Sequence, residues 1–230
     1  MALSSSPKVC LPVALPASPI DPARLRLHVR SVARLFGDTP ALHDVSFTAG
    51  AGDLVAVLGP NGSGKSTLLR ILAGILRPDR GDVRWTSPQG DVRIAFVGHD
   101  TQLFGGLTGA ETLALSARLH GDRSAAVGLL ERFGIANIAD RAVATLSAGT
   151  RRRLAIARAT MGRPSVLIVD EPFASLDPDA MRLVAAALRA HRVAGGLTVI
   201  SGHHPPGDED GPTTTVMLDR RDAPTAGRPG

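Results

Sequence analysis

The sequence contains no tyrosine and a single cysteine, and aromatic residues make up only 3% of it. Cys10 alone cannot form an internal disulfide and offers no cysteine cluster for a metal, which is consistent with a reducing compartment. Because so few aromatic side chains are present, we do not expect a base-stacking surface for RNA, and we predict no nucleic-acid partner. No run of eighteen apolar residues occurs, so we expect that the chain does not cross a membrane by itself.

Lysine is also scarce, and the formal net charge of +5 comes almost wholly from arginine, since Lys8 and Lys65 are the only lysines. The basic residues are scattered, so this charge does not identify a partner by itself. At 230 residues with 43% hydrophobic side chains, the chain is expected to form one domain, which we place at 24–218. We predict flexible tails at 1–23, which is rich in proline and serine, and at 219–230.

The stretch from Leu54 to Leu76 carries the most specific chemical pattern. The apolar run Leu54–Leu58 predicts a buried strand, and the run from Thr67 to Leu76 predicts a helix. Between them, the spacing G-x-x-x-x-G-K-[ST] predicts a phosphate-binding loop, in which glycines let successive N–H groups point at a phosphate. The predicted nucleotide-binding residues are Gly59, Pro60, Asn61, Gly62, Ser63, Gly64, Lys65, Ser66 and Thr67. We expect Lys65 to reach the β- and γ-phosphates and Ser66 to ligate Mg²⁺.

A second apolar strand, predicted for Val166–Val169, ends in the acids Asp170 and Glu171. Strands without polar residues are typical of a parallel sheet that is buried on both faces. Asp170 lies where a phosphate-loop enzyme holds its magnesium ion, and Glu171 is placed to activate the attacking water as a general base. An acidic pair alone often does no more than end a strand. The phosphate loop earlier in the chain is the reason to prefer the catalytic interpretation.

The segment from about 101 to 161 is rich in alanine, leucine and arginine at helical spacing, which predicts an inserted helical subdomain. Within it, Leu146–Thr150 forms a polar, glycine-bearing turn, and Ser147 is a suitable N-cap for the helix that follows. Such a turn at a helix N-terminus is a second potential anion site. Taken alone, the pattern favours the simpler alternative of a capped surface helix whose arginines face solvent.

The remaining predicted elements surround these motifs. We predict strands over 24–34, 41–47, 92–97, 197–200 and 213–218, the last at a sheet edge, and a helix over 179–192. Arg77–Asp82 is expected to end the first helix and begin a hairpin. Phe36 lies between the first two strands, where it either packs in the core or stacks on a nucleotide base. His203 and His204 follow the strand predicted over 197–200 after two intervening residues.

In this order, the motifs resemble those of the ATP-binding-cassette (ABC) ATPase family, over roughly Leu25 to Leu218. The phosphate loop resembles the family's Walker A motif, Leu146–Thr150 its LSGGQ signature, and Val166–Glu171 its Walker B motif. Ser175–Asp177 is similar to its D-loop. The resemblance implies an α/β fold with a P-loop NTPase (RecA-like) core, an antiparallel β subdomain and an inserted α-helical subdomain. A single motif would be weak support, whereas the ordered set is specific.

The resemblance also implies the cofactors ATP and Mg²⁺ and a role for four further residues. Members of the family pair head to tail, so Ser147 and the Gly149 backbone would contact the γ-phosphate held by a second ABC ATPase subunit, expected to be an identical chain. Phe36 would stack on the base, and His203 would be the catalytic switch histidine. Closure on ATP and reopening after hydrolysis would drive transmembrane permease subunits. The chain would then associate peripherally with the cytoplasmic face of the inner membrane.

Departures from the family pattern narrow the resemblance. Ala148 and Thr150 replace the second glycine and the glutamine of the signature. His99 holds the place of a glutamine that touches magnesium and faces the membrane partner, and Gln102 follows three residues later. The pair Gly98–His99 and the LSAG signature resemble the ATP-binding subunits of haem exporters used in cytochrome c maturation.

Three functions therefore follow from the resemblance. The first is an ATPase subunit that drives haem export in cytochrome c biogenesis. The second is an ATPase subunit of another exporter, for lipids, drugs or peptides, and the third is a soluble ATPase of iron–sulfur assembly. Chromosome-type cassettes carry long coiled coils before the signature, and translation-type proteins carry two cassettes, so neither class fits.

Overall fold

A computed structural model describes residues 25–87, 91–121, 126, 128–205 and 211–219. The tails predicted at 1–23 and 219–230 lie outside the described residues, apart from Asp219. The strands are β1 (Arg26–Phe36), β2 (Thr39–Gly50), β3 (Leu54–Leu58), β4 (Arg80–Thr86), β5 (Ile94–Val97), β6 (Val166–Val169), β7 (Leu197–Gly202) and β8 (Thr214–Met217). The helices are α1 (Lys65–Leu72), α2 (Gly109–Leu119), α3 (Leu129–Arg132), α4 (Ala148–Thr160) and α5 (Pro178–Val193). Of these described helices, none is long and apolar enough to cross a membrane.

The strands form one antiparallel and one parallel sheet. The antiparallel sheet has the order β2-β1-β4, and the parallel sheet has the order β5-β6-β7-β3-β8. This topology confirms the expected α/β fold and the edge position of the last strand. Helices α2, α3 and α4 lie within the predicted helical subdomain at about 101–161.

Strands β3 and β6 of the parallel sheet are wholly apolar because both of their faces are buried. Along β3, Val55 and Val57 pack in a core with α1 and the antiparallel sheet, and Ala56 packs in a second core on the side of α2 to α5. Strand β6 alternates in the same way. Since neighbouring strands are parallel, the loops that follow β3 and β6 leave from the same edge of the sheet. That edge carries the predicted phosphate loop and the two acids.

The hairpin predicted to begin at Arg77–Asp82 is wrong, because strand β4 does not pair with the next strand in sequence. It pairs antiparallel with β1, from Arg26 opposite Thr86 to Ala33 opposite Arg80. Trp85 explains this position, since its half-buried ring packs against the core under the antiparallel sheet and its Nε1 donates to the Leu72 carbonyl at 3.2 Å. The hydrophobic effect therefore places β4 over α1 rather than beside the next strand in sequence.

Helix α1 ends at Leu72, earlier than the predicted Leu76. Gly74 has a φ of 72°, and its N–H donates to the Ile71 carbonyl at 3.0 Å. A glycine in the left-handed region just past a helix is the usual C-terminal motif. The sequence-based boundary gave too much weight to Arg77–Pro78 and too little to this glycine.

His191, in the last turn of α5, joins that helix to the parallel sheet. Its Nε2 lies 3.0 Å from the Pro164 carbonyl oxygen, and its Nδ1 lies 2.9 Å from the Thr198 hydroxyl. A carbonyl oxygen can only accept, so Nε2 carries the hydrogen and Nδ1 accepts from Thr198. The ring is packed so closely that a Cβ at Gly196 would lie 2.3 Å from it. Burial lowers the pKa of His191.

This lowered pKa predicts a loss of stability in acid. In the unfolded chain, a histidine titrates near pH 6.5, so below about that pH the unfolded state binds a proton that the folded state resists. We expect the free energy of unfolding, measured with urea at pH 7.5 and 5.5, to fall more steeply for the parent than for His191→Gln. The glutamine variant should be less stable at pH 7.5 by about 1–2 kcal/mol, because the two hydrogen bonds are weakened. As a control, the exposed-residue variant His43→Gln should keep the parent's slope, and an equal slope for His191→Gln would contradict the assignment.

Candidate nucleotide-binding and hydrolysis site

The loop between β3 and α1 has the backbone of an anion cradle. Gly59, Gly62 and Gly64 have φ values of 152°, 78° and 94°. A Cβ at Gly59 would lie 2.1 Å from the Leu218 carbonyl oxygen, so this turn also requires glycine for space. No side chain caps the N-terminus of α1, whereas α2, α4 and α5 are capped by Thr108, Ser147 and Asp177. The first N–H groups of α1 are therefore left for a ligand in the loop.

Lys65 and Ser63 complete the polar lining of the loop. Lys65 is 6% exposed, and its Nζ donates to the carbonyls of Gly59 and Pro60 at 2.8 and 2.9 Å. The positive charge therefore lies inside the loop. The Ser63 hydroxyl is buried and has no hydrogen-bond partner among the described residues. A buried unpaired hydroxyl beside a lysine and free N–H groups fits a phosphate, which can accept from all of them.

The two acids follow β6 at the same edge of the sheet. Asp170 is 2% exposed, its N–H donates to the Val97 carbonyl at 2.8 Å, and its carboxylate accepts from the Ser201 hydroxyl at 2.5 Å. Glu171 is half-buried and has a φ of 51°. Its Oε1 lies 3.9 Å from Nε2 of His203. The structure thus brings His203, at the end of β7, next to the candidate general base.

The available oxygen ligands suit magnesium held with a nucleotide. Among the described residues, no group of three or more His, Cys, Asp or Glu side chains is arranged to hold a metal ion by itself. Asp170 offers a carboxylate, and Ser66, in the first turn of α1, offers a hydroxyl. Mg²⁺ favours such hard oxygen donors and is usually bound through one or two protein ligands together with phosphates and water.

The signature-like turn is packed against the segment that follows the acids. The Ser147 hydroxyl accepts from the Thr150 N–H at 3.2 Å and lies 2.8 Å from the Thr150 hydroxyl. A Cβ at Gly149 would lie 2.5 Å from the Ser175 carbonyl oxygen. Within the part of the chain that the structure describes, neither Ser147 nor Gly149 is hydrogen-bonded to the phosphate loop. Ser147 is exposed, so its hydroxyl is accessible to another molecule.

The interpretation of α4 as a helix with solvated arginines is wrong. Four of its arginines donate to backbone carbonyls: Arg151 to Leu146, Arg152 to Gly98, His99 and Asp170, Arg153 to Phe133 and Gly134, and Arg158 to Thr101 and Gln102. Arg152 is only 6% exposed. Burial lowers the pKa of its guanidinium, and the nearby carboxylates of Asp170 and Glu171 oppose that shift. Sequence reasoning missed these contacts because arginine on a helix is usually solvated.

Phe36, at the end of β1, is 51% exposed, which excludes the alternative of an ordinary core residue. The Arg34 guanidinium lies 5.2 Å from the centre of the Phe36 ring and is paired with Asp79 at 2.6 Å. The remaining exposed surface of the ring is accessible to a base. His99 and Gln102 are also exposed, and their backbone carbonyls accept hydrogen bonds from Arg152 and Arg158 of α4.

Comparisons with known proteins agree with this geometry. A family model described as "ABC transporter" matches residues 42–174. The cytochrome c biogenesis ATP-binding export protein CcmA of Nitrosococcus oceani is 38% identical over 192 residues, which cover 80% of this chain and 89% of that protein. The protein of the same name from Roseobacter denitrificans is 43% identical over 168 residues, covering 73% and 79%. A solved structure of an ATP-binding subunit of an ABC transporter is 26% identical, with a TM-score of 0.73, and covers 84% of this chain and 85% of its own.

The close packing of Gly149 predicts that even alanine is too large there. Alanine favours a helix over glycine by about 1 kcal/mol, but the new Cβ would collide with the Ser175 carbonyl. We expect Gly149→Ala to lower the free energy of unfolding by about 1–3 kcal/mol in a urea titration, as overpacking usually does. The control Ala148→Gly, at the exposed neighbouring position, should cost no more than about 1 kcal/mol. A Gly149→Ala protein as stable as the parent would contradict the packing of this turn.

Proposed function

The chain belongs to the ABC transporter family of ATP-binding proteins, and from this membership we propose that it is the ATP-binding and hydrolysing subunit of an exporter that carries haem in cytochrome c biogenesis. One structural observation carries the ATPase part of the proposal. The phosphate loop after β3 and the acids Asp170 and Glu171 after β6 leave from the same edge of one parallel sheet. The role in cytochrome c biogenesis is supported by the names of relatives that are 38–43% identical to this chain.

Within the site, each residue has a defined task. The loop Gly59–Thr67 binds the phosphates through its N–H groups, and Lys65 neutralises their charge. Ser66 and Asp170 would hold Mg²⁺, which would supply positive charge beside the phosphate oxygens. Glu171 accepts the proton of the attacking water, and His203 lies beside it at 3.9 Å to orient the reacting groups.

A second copy of the chain completes the site in our proposal. Ser147 is exposed, and its oxygen can accept from both the N–H and the hydroxyl of Thr150, an arrangement that leaves the serine's own proton for an anion. Facing a partner's phosphate loop, this hydroxyl and the Gly149 N–H would bind the γ-phosphate. Phe36 would stack on the adenine of the ATP bound in its own subunit.

The permease would contact the chain near the His99–Gln102 segment. Phe104, two residues further on, is 67% exposed, so its ring is accessible to an apolar side chain of a partner. The chain would thereby be held peripherally at the cytoplasmic face of the inner membrane.

Glu171→Gln tests the assignment of the general base. The amide keeps the size of the side chain but cannot take up the proton, so we expect ATP hydrolysis by the assembled complex to fall by at least about 100-fold. Binding of a fluorescent ATP analogue should be unchanged. The control Glu131→Gln removes an exposed carboxylate from α3 and should hydrolyse ATP at the parent's rate. Hydrolysis by Glu171→Gln at the parent's rate would show that another group is the base.

The cargo is tested by isolating the full chain from its own cells in mild detergent and identifying the bound proteins by mass spectrometry. Recovery of small multi-span membrane proteins with haem-handling partners is the expected result. A permease of another class would keep the ATPase assignment and overturn the haem assignment. Recovery of soluble assembly factors alone would overturn the role in export.

A further inference from the structure

Ser201, on β7, is a buried hydroxyl that touches both acids of the site. It is 2% exposed. Its Oγ donates to Asp170 Oδ1 at 2.5 Å and accepts from the Glu171 N–H at 2.8 Å. The direction of both bonds is fixed, because an amide N–H can only donate and an ionised carboxylate can only accept. The hydroxyl therefore donates its single proton to Asp170 and accepts the Glu171 N–H with an oxygen lone pair.

These contacts begin where the sheet ends. The backbone ladder between β6 and β7 extends only to Val169 opposite Ile200. Beyond it, the main chain of Asp170 is held from the other sides, by the Val97 carbonyl and by Arg152. The side chain of Asp170 and the N–H of Glu171 are held by Ser201. One hydroxyl thus continues the link between β6 and β7 past the last backbone pair.

Both contacts bear on the chemistry assigned to the acids. With Oδ1 engaged by Ser201, rotation of the Asp170 carboxylate is restricted, and Oδ2 would be the oxygen available to a metal ion. Glu171 has a φ of 51°, a left-handed conformation that is unfavourable for a residue with a side chain. The hydrogen bond to its N–H helps to hold this turn, which directs the side chain toward His203.

We infer that Ser201 is a positioning residue that orients the Asp170 carboxylate for Mg²⁺ and fixes the backbone of Glu171. The inference rests on the proposed function, since it assumes that Asp170 holds the metal of a bound nucleotide. Removing the hydrogen-bond partner of a metal-binding group commonly lowers the metal affinity by about 10- to 100-fold.

The test compares three variants of the full chain with the parent. Ser201→Ala removes the hydroxyl, and Ser201→Thr keeps it on a side chain that suits a strand. Ser116→Ala, which alters another buried serine, on α2, is the matched control for loss of a buried hydroxyl. Binding of a fluorescent, non-hydrolysable ATP analogue is measured in EDTA and at increasing Mg²⁺ concentration. The rate of ATP hydrolysis and its KM are measured separately in the complex.

For Ser201→Ala we expect the Mg²⁺ concentration at half-saturation to rise by about 10- to 100-fold, with binding in EDTA unchanged. The kcat should fall more than KM changes, because the base is also displaced. The Mg²⁺ requirement and the kcat of Ser201→Thr should return toward the parent's values. Those of Ser116→Ala should equal the parent's values. An unchanged Mg²⁺ requirement in Ser201→Ala, a loss that is equal in EDTA, or no recovery with threonine would overturn the inference. A parent that binds no nucleotide under either condition would instead overturn the proposed function.

Discussion

The structure depends on which groups form hydrogen bonds with the backbone N–H and C=O groups where the parallel strands end. Between two neighbouring strands the ladder pairs the N–H and C=O groups, but past the last ladder pair these groups must be paired by other means. At the edge that carries the site, side chains supply the partners: Lys65 for the loop carbonyls, Arg152 for the Asp170 carbonyl, and Ser201 for the Glu171 N–H. The side chains that pair with the backbone at the ends of the strands are therefore the ones that shape the site.

Arginine suits this task better than lysine, and the composition reflects it. A guanidinium offers five N–H donors in a rigid plane, so Arg152 can reach the carbonyls of Gly98, His99 and Asp170 together. An ammonium group is a compact charge with strong hydration. Lys65, the only lysine in the described part of the chain, lies buried inside the loop that we propose binds phosphate. Part of the positive charge is thus engaged with backbone carbonyls inside the protein.

Local patterns predicted the site better than they predicted its surroundings. The phosphate loop and the acids after β6 were found from the sequence because each depends on residue types at fixed spacing along one segment. The partners of Arg152 lie 18 to 54 positions away, and the strand that pairs with β4 is β1 rather than its sequence neighbour. Such contacts are decided by packing in three dimensions, which periodicity does not record. The contacts of Ser201 with the two acids were likewise not predicted, because a serine in a strand has many ordinary roles.

The two turns that would meet in a dimer differ in whether their polar groups already have hydrogen-bond partners. In the signature turn, the Ser147 hydroxyl caps the Thr150 N–H and Gly149 packs against the Ser175 carbonyl, so the turn has its partners without a ligand. The phosphate loop has an uncapped helix and an unpaired buried hydroxyl at Ser63, so it gains partners when an anion binds. Arg152 joins α4, which begins at the signature turn, to the end of β6. A partner's γ-phosphate at Ser147 would therefore contact a unit that is already connected to this chain's own acids.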